Sequence, residues 1–529
     1  MPYVRKVNES IVNGAHALLA TLGANGVTTC FANPGTSEMH FVASLDDFPE
    51  MRGVLCLFEG VATGAADGYG RVTKRPAATL LHLGPGLANG WANLHNARRA
   101  RVPIVNIVGD HATYHAQYDA PLQSDIAALA SGLEGWQRRS ARVDDIARDT
   151  ADAVRAAYGP PGQIATLILP ADVSWNEVTN APLDWPLAER EMLTTPNQSQ
   201  LSRAVELLRT KRTALFVGGT ALSARELALA QRVAAATSSK VMMETFPAIM
   251  DHGAGIESPE RLIYFAEFAA SQLKDFEALI LIGARAPVSF FAYPDIASVI
   301  APEGCEVLDL APPGTDTNAA LEFIVDELHA PTGAPVTGSA PDAPTGALTT
   351  ATFAAAVGAT APEGLIIADE SNTSGVHLYG ALQFAPPHQW MTLTGGAIGM
   401  GLPLALGAAV GSTQRVLCVE SDGSMMYTLQ ALWTMAREKL DVTVVGLSNR
   451  SYAVLNYELR RVGAVSDGST SQRMLDLDEP TLDLCKLAEA QGMPSVRVTT
   501  ADELVEALRR SYSTPGPMFI EAMLPKGLS

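Results

Sequence analysis

Short apolar runs alternate with helical periods along most of the chain. In the first third such runs fall at 28–32, 54–58, 78–82, 104–108 and 165–169, with helical periods at 11–24 and 60–71. Apolar runs this short, set between helices, predict strands buried on both faces of a parallel α/β layer. The polar stretch 171–189, which carries Pro and Trp, predicts a linker. A second block, about 200–328, has predicted strands at 214–217, 278–282 and 306–308 and a helix at 224–237. The Pro/Gly/Ala/Thr segment 330–347 has little to pack and predicts another linker. A third block, from 350 to about 524, has predicted strands at 365–368, 416–419, 442–447 and 518–521, with a helix at 428–440. The fold class expected is α/β: three consecutive doubly wound parallel-sheet domains at 1–180, 190–330 and 350–529, with 331–349 as linker.

Composition narrows the class. The chain has 529 residues, too many for one ordinary core, and is 47% hydrophobic and 18% charged. Its formal charge of −19 argues against a nucleic-acid or anionic-membrane surface. Cys30, Cys56, Cys305, Cys418 and Cys485 are scattered without metal-binding spacing and read as reduced thiols. Residues 1–10 lack the apolar core of a secretory signal. The apolar stretch 395–411 is broken by Gly396, Gly399, Gly401, Pro403 and Gly407, which predicts a buried loop and helix rather than a membrane span. A cytoplasmic protein is expected.

The chemistry begins at the strand 416–419, which runs into Asp422-Gly423-Ser424. After a helix and the strand 442–447 comes Ser448-Asn449-Arg450-Ser451-Tyr452. A right-handed βαβ unit would put Asp422 and Asn449 beyond the C-termini of neighbouring strands, where open α/β sheets bind ligands. A surface Asx turn accounts for either residue alone. Together, one carboxylate, one amide oxygen and a backbone carbonyl form the sparse oxygen set that holds Mg²⁺ when phosphates complete its shell. Gly423 permits close approach, and the following helix N-terminus favours a phosphate.

This pair resembles the GDG…NN motif of the thiamine-diphosphate (ThDP) dependent decarboxylase and acetohydroxyacid synthase superfamily, with Ser421 and Ser448 replacing the first Gly and first Asn. The resemblance implies Asp422, Asn449 and the Ser451 carbonyl as metal ligands, with Gly423, Ser424 and Tyr452 around the cofactor. Three further strings fall in the family's order. VLCLFEGVATGAADGYGR is similar to the segment carrying the cofactor-activating glutamate, here Glu59, with Leu57 and Phe58 as its apolar surroundings. FANPGTSEM resembles the first active-site loop and implies cofactor contacts from Asn33, Pro34 and Gly35 and a substrate contact from Thr36. LTGGAIGMGLP resembles the loop whose carbonyl, here of Gly396, meets the aminopyrimidine and whose bulky residue, here Ile398, wedges between the cofactor rings. DESNTSG resembles a diphosphate loop, implying Asn372 and Thr373. The resemblance also implies a homodimer or homotetramer with active sites at subunit interfaces, Glu59 and Asp422 meeting there from different chains.

The expected reaction is decarboxylation of a pyruvate-like 2-oxo acid followed by carboligation to a second carbonyl compound, as in acetolactate synthases. His82, in LHLGPGLANG, matches the active-site histidine of benzoylformate decarboxylase, beside a Gly-Pro-Gly loop. GDHATYHAQYDAPLQSDI resembles the synthase loop with a hydrophobe-Gln pair, here Leu122-Gln123, and adds His111. Phe291 falls where benzoylformate decarboxylase has a second histidine. Losing a proton donor there disfavours simple protonation and aldehyde release. Leu455 lines the same pocket and no Gln-Trp pair follows the Asn motif. The middle block lacks the strings that accompany FAD in synthases, which argues against FAD. A benzoylformate-decarboxylase-type enzyme acting on an aryl or branched-chain 2-oxo acid is the alternative. A nicotinamide dehydrogenase lacks its GxGxxG, and a non-catalytic descendant would not be expected to keep Glu59, Asp422 and Asn449 together.

Overall fold

The computed structural model describes residues 12–179, 184–294, 296–333, 336–464 and 468–527. Residues 1–10, where no secretory signal is expected, the first residue of the predicted helix 11–24 and parts of both predicted linkers lie outside them. Two compact units are resolved, one ending at Glu191 and the other beginning at Met192.

The first unit is built on six parallel strands: β1 (Thr29–Asn33), β2 (Arg52–Leu55), β3 (Ala77–Leu81), β4 (Ile104–Asp110), β5 (Gln137–Arg139) and β6 (Ile164–Pro170). Their order is β2-β1-β3-β4-β6-β5. Every residue of β3, β4 and β6 is buried. That is why these runs lack the alternation of a one-sided sheet. Leu18 and Leu22 of the helix Gly14–Ala24 share one buried cluster with Leu80, Ile107 and Leu167 of the sheet.

The second unit holds two sheets. Strands β7 (Thr213–Val217), β8 (Lys240–Met243), β10 (Glu260–Arg261), β11 (Ala278–Ile282) and β12 (Glu306–Ala311) form a parallel sheet in the order β10-β8-β7-β11-β12. The strand between them in sequence, β9 (Met250–His252), leaves this sheet and pairs antiparallel with β14. The third sheet has the order β17-β18-β16-β15-β13-β14-β9, with β13 (Ile366–Glu370), β14 (His388–Thr392), β15 (Val416–Ser421), β16 (Val442–Ser448), β17 (Ser495–Val498) and β18 (Met518–Met523). One buried cluster, including Leu215, Ile280, Met250, Trp390 and Leu417, runs through both sheets. The parallel α/β class is as expected, with β9 as an antiparallel addition.

Several expectations need correction. The linker at 171–189 begins with a helix, Ala171–Trp175, because Asp172 accepts bonds from the Thr113 amide at 2.9 Å and hydroxyl at 2.5 Å. The segment at 330–347 is not wholly without packing: Ala330 is buried, the Phe384 ring covers Gly338, and Ala347 bridges to Thr500. The helix predicted at 428–440 spans only Ala431–Arg437. Gly84-Pro85-Gly86 is no loop but the first turn of a helix, Leu83–Ala100. The Gly-rich stretch at 395–411 is a loop followed by the helix Gly401–Gly411, and no helix among the described residues is long and apolar enough to cross a membrane.

Candidate active site

In the first unit, the predicted residues gather at the C-terminal ends of β1, β3 and β4. Asn33 ends β1, and Pro34 and Gly35 lead into the single turn Thr36–Glu38. That turn folds a wholly buried carboxyl back on its own start. Glu38 Oε2 accepts the Gly35 N–H at 2.7 Å and meets His82 Nδ1 at 2.8 Å. With Glu38 as a carboxylate, which can only accept, this contact calls for a proton on Nδ1. Burial pushes the Glu38 pKa up, and His82 and the Gly35 amide oppose it. The fit is tight: a Cβ on Gly35 would lie 2.3 Å from the His82 ring, and one on Gly109 would lie 1.6 Å from Glu38 Oε1.

Glu59 opens the helix Glu59–Thr73, where the helix dipole favours a carboxylate, and is 7% exposed. Its Oε2 accepts the Asn89 side-chain N–H at 3.0 Å. β2 stops at Leu55, and Leu57 in the connecting turn is 45% exposed on the single chain, whereas Phe58 folds back over Gly60. Asn89 rides on the helix Leu83–Ala100, which lies against Glu59–Thr73 through Thr63 Oγ1 to the Gly90 carbonyl at 3.0 Å and Asn93 Nδ2 to the Gly60 carbonyl at 2.8 Å.

His111 follows β4. Among the described residues its buried Nε2 has no hydrogen-bond partner, and burial lowers its pKa, as do the nearby His115 and His82. The buried Gln123 Oε1 likewise has none among the described residues. Its loop packs on the first turn of Leu83–Ala100, where a Gly84 Cβ would meet Ser124 Oγ at 1.9 Å. Leu122 and Thr36 are exposed.

In the second unit, the ends of β13, β15 and β16 bring together the Asp, the Asn and the diphosphate string. Asp422 is buried, and its oxygens accept the Gly423 N–H at 2.8 Å and the Arg450 N–H at 2.6 Å. The second bond ties the Asp loop to the Asn loop. Asn449 Oδ1 accepts the Ser451 N–H at 3.0 Å, and Asn456 Nδ2 donates to Ser451 Oγ at 2.9 Å. Burial pushes the Asp422 pKa up to about 6, with the two N–H groups pulling it back. A divalent cation beside that carboxylate would offset the burial, so the donor set suits Mg²⁺. Gly423 is needed as glycine, since a Cβ would lie 2.6 Å from the Tyr452 ring. Asn372, with φ +50°, donates to the Glu370 carbonyl at 3.2 Å, Ser421 Oγ at 3.0 Å and Ser424 Oγ at 3.1 Å, and half-buried Thr373 follows.

The loop with Gly396 and Ile398 enters the helix Gly401–Gly411. Gly396 has φ +75°, and the Phe290 ring closes over it, 2.8 Å from where a Cβ would sit. Phe291 is 55% exposed and meets Phe290 edge-on at 5.1 Å. Leu455 is also exposed. Among the described residues the segment 283–294 thus presents a paired aromatic face beside Gly396. Sequence reasoning passes over Glu38, Asn89, Glu370 and Phe290. Glu38 and Glu370 lie inside the quoted strings FANPGTSEM and DESNTSG, but only their long-range partners mark them out.

Residues 12–131 match the family described as thiamine pyrophosphate enzyme, N-terminal TPP binding domain. Residues 372–522 match thiamine pyrophosphate enzyme, C-terminal TPP binding domain. The chain is 53% identical over 518 residues to a putative acetolactate synthase large subunit of Mycobacterium tuberculosis, covering 97% of this chain and 99% of the relative. It is 29% identical over 530 residues to a benzoylformate decarboxylase of Pseudomonas aeruginosa, covering 94% and 96%. In fold it resembles a thiamine diphosphate-dependent 4-hydroxybenzoylformate decarboxylase of Rhodococcus jostii, with TM-score 0.85 and 22% identity over 98% of this chain and all of that one.

Proposed function

Because the chain belongs to the thiamine pyrophosphate-dependent enzyme family, we propose that it decarboxylates a pyruvate-like 2-oxo acid and joins the remaining fragment to a second carbonyl compound. When bound, ThDP supplies the carbon nucleophile and accepts the electron pair left by CO₂ loss. Glu59 holds a proton at the pyrimidine N1′. The Gly396 carbonyl accepts the pyrimidine amino group, and Ile398 packs between the rings. Asn33, Pro34 and Gly35 border the pyrimidine. Asn372, Thr373, Gly423 and Ser424 receive the diphosphate, with Tyr452 beside them. Asp422, Asn449 and the Ser451 carbonyl hold Mg²⁺. Residues 1–180 form the pyrimidine-binding domain, 190–330 the middle domain and 350–529, after the linker 331–349, the diphosphate-binding domain. The working unit is a homodimer or homotetramer in which Glu59 and Asp422 of different chains share a site.

The carboligation reading rests on the Phe290–Phe291 pair beside Gly396. It supplies an apolar wall rather than a proton donor, which favours capture of a second carbonyl over protonation. Thr36, His111, Leu122 and Leu455 complete the pocket, and Gln123 contacts the reacting groups. FAD is not part of this reading: the Glu244 carboxylate accepts the Gly219 N–H at 3.3 Å, where it would oppose a nucleotide phosphate.

A second reading is favoured by the His82–Glu38 bond. A histidine held in one tautomer is a ready proton carrier, as a non-ligating decarboxylase of benzoylformate type requires. Product analysis separates the two. Purified protein with ThDP, Mg²⁺ and pyruvate is expected to form acetolactate, and Glu59→Gln is expected to form none. Acetaldehyde as the sole product would replace the first reading with the second.

A further inference from the structure

Glu370 ends β13 and is buried, and its carboxyl group, which also meets the Ser424 hydroxyl, has so far been given no role. Three consecutive backbone amides converge on its carboxylate. Gly399 N–H donates to Oε1 at 2.7 Å, and Met400 and Gly401 N–H donate to Oε2 at 2.7 and 2.5 Å. These amides stand at the start of the helix Gly401–Gly411, where donors without intrahelical partners usually take an anion. Here the acceptor is a side chain of the protein itself, whose pKa burial pushes up to about 7 while the three amides pull it back. Gly399 is held from its other side too, because its carbonyl accepts Thr428 Oγ1 at 2.8 Å. The main-chain carbonyl of Glu370 in turn accepts Asn372 Nδ2 at 3.2 Å and Ser421 Oγ at 3.0 Å. One residue therefore joins the turn proposed for the diphosphate to the loop proposed for the pyrimidine.

We propose that Glu370 is a positioning residue for the cofactor: its carboxylate clamps Gly399–Gly401 and thereby fixes the Gly396 carbonyl and the Ile398 side chain, which immediately precede that segment. This deepens the ThDP reading above and rests on it. A loop with glycines at 395, 396, 399 and 401 has much conformational freedom to lose. Bonds from three adjacent amides to one carboxyl group remove that freedom before the cofactor arrives. Glutamine cannot substitute. Its single oxygen serves one side of the cluster, and its NH₂ group would face a backbone donor on the other.

The test compares ThDP with inorganic pyrophosphate, each with Mg²⁺, binding to the parent protein and to Glu370→Gln by calorimetry. A lost pyrimidine-side clamp is expected to weaken ThDP about tenfold or more while pyrophosphate changes about twofold or less. Hydrogen–deuterium exchange at C2 of saturating ThDP is expected to slow by a similar factor. Thr428→Val, which keeps volume and removes the second tie to Gly399, is expected to act in the same direction with a smaller effect, and serves if Glu370→Gln does not fold. Equal weakening of ThDP and pyrophosphate, or no change in either variant, overturns the clamp. A parent protein that binds no ThDP overturns the cofactor reading and the clamp together.

Discussion

Among the described residues one of the two Glu59 oxygens is bound by a side-chain donor, the Asn89 amide at 3.0 Å. The bond fixes the carboxyl rotation, so the other oxygen has a defined direction. Asn89→Ala removes the donor without touching the helix start that carries Glu59. Because a bond to a charged acceptor is worth more than a neutral one, kcat is expected to fall about tenfold, far less than in Glu59→Gln. Unchanged kcat and ThDP affinity in Asn89→Ala would show that the contact has no positioning role. Glu59 itself was legible because it begins a small-residue helix after an apolar run within a string that resembles a known family. Asn89, thirty positions later, was not. No local pattern pairs an amide on one helix with an acid on another; the contacts of Thr63 with Gly90 and of Asn93 with Gly60 bring them together.

Most strands are readable as elements because burial on both faces leaves continuous apolar runs. The run at 278–282 coincides with β11. His388–Thr392 shows why others are not. It begins His-Gln, and its polar edge is satisfied by one distant and one local group: His388 Nε2 meets His252 Nδ1 at 3.2 Å and His388 Nδ1 meets the Pro386 carbonyl at 2.8 Å. The helix predicted at 428–440 loses its start for a related reason, since Thr428 spends its hydroxyl on Gly399. The His252–His388 contact also makes the junction of β9 with β14 sensitive to acid. Burial lowers the His252 pKa from 6.5 to about 3, with His388 adding to the effect, and lowers that of His388 as well. Tyr379 stacks on His252 at 4.7 Å, and Asp251 acts on His388 in the opposite sense. Folded His252 stays neutral while the unfolded chain takes up a proton below its ordinary pKa. The stability that depends on neutral His252 is therefore present above about pH 6.5 and is lost as pH falls towards about 3. His252→Gln is expected to flatten the loss by up to about 1.4 kcal/mol per pH unit, read from denaturant unfolding between pH 7 and 4. Identical slopes for parent and variant would remove His252 from the acid response.

At the scale of the molecule, the chemistry is divided. The first unit carries Glu59, His82 and Glu38, and the second carries Asp422, Asn449 and the Gly396 loop. Neither half suffices for the proposed reaction, because an acid at the pyrimidine is useless without the metal and diphosphate loops. Under the proposed sharing of sites between subunits, each functional site takes one half from each of two chains. Two inactive variants should then rescue one another. In a dimer of one Glu59→Gln chain and one Asp422→Asn chain, one site collects both defects and the other collects neither. Co-expression in equal amounts makes half the dimers mixed, so activity is expected to recover to roughly a quarter of the parent value. Mixing the purified variants should give less, to the extent that formed dimers exchange slowly. If instead both halves of a site came from one chain, every site in the mixture would carry a defect and co-expression would recover nothing. The assay therefore separates the two arrangements without a structure of the assembly.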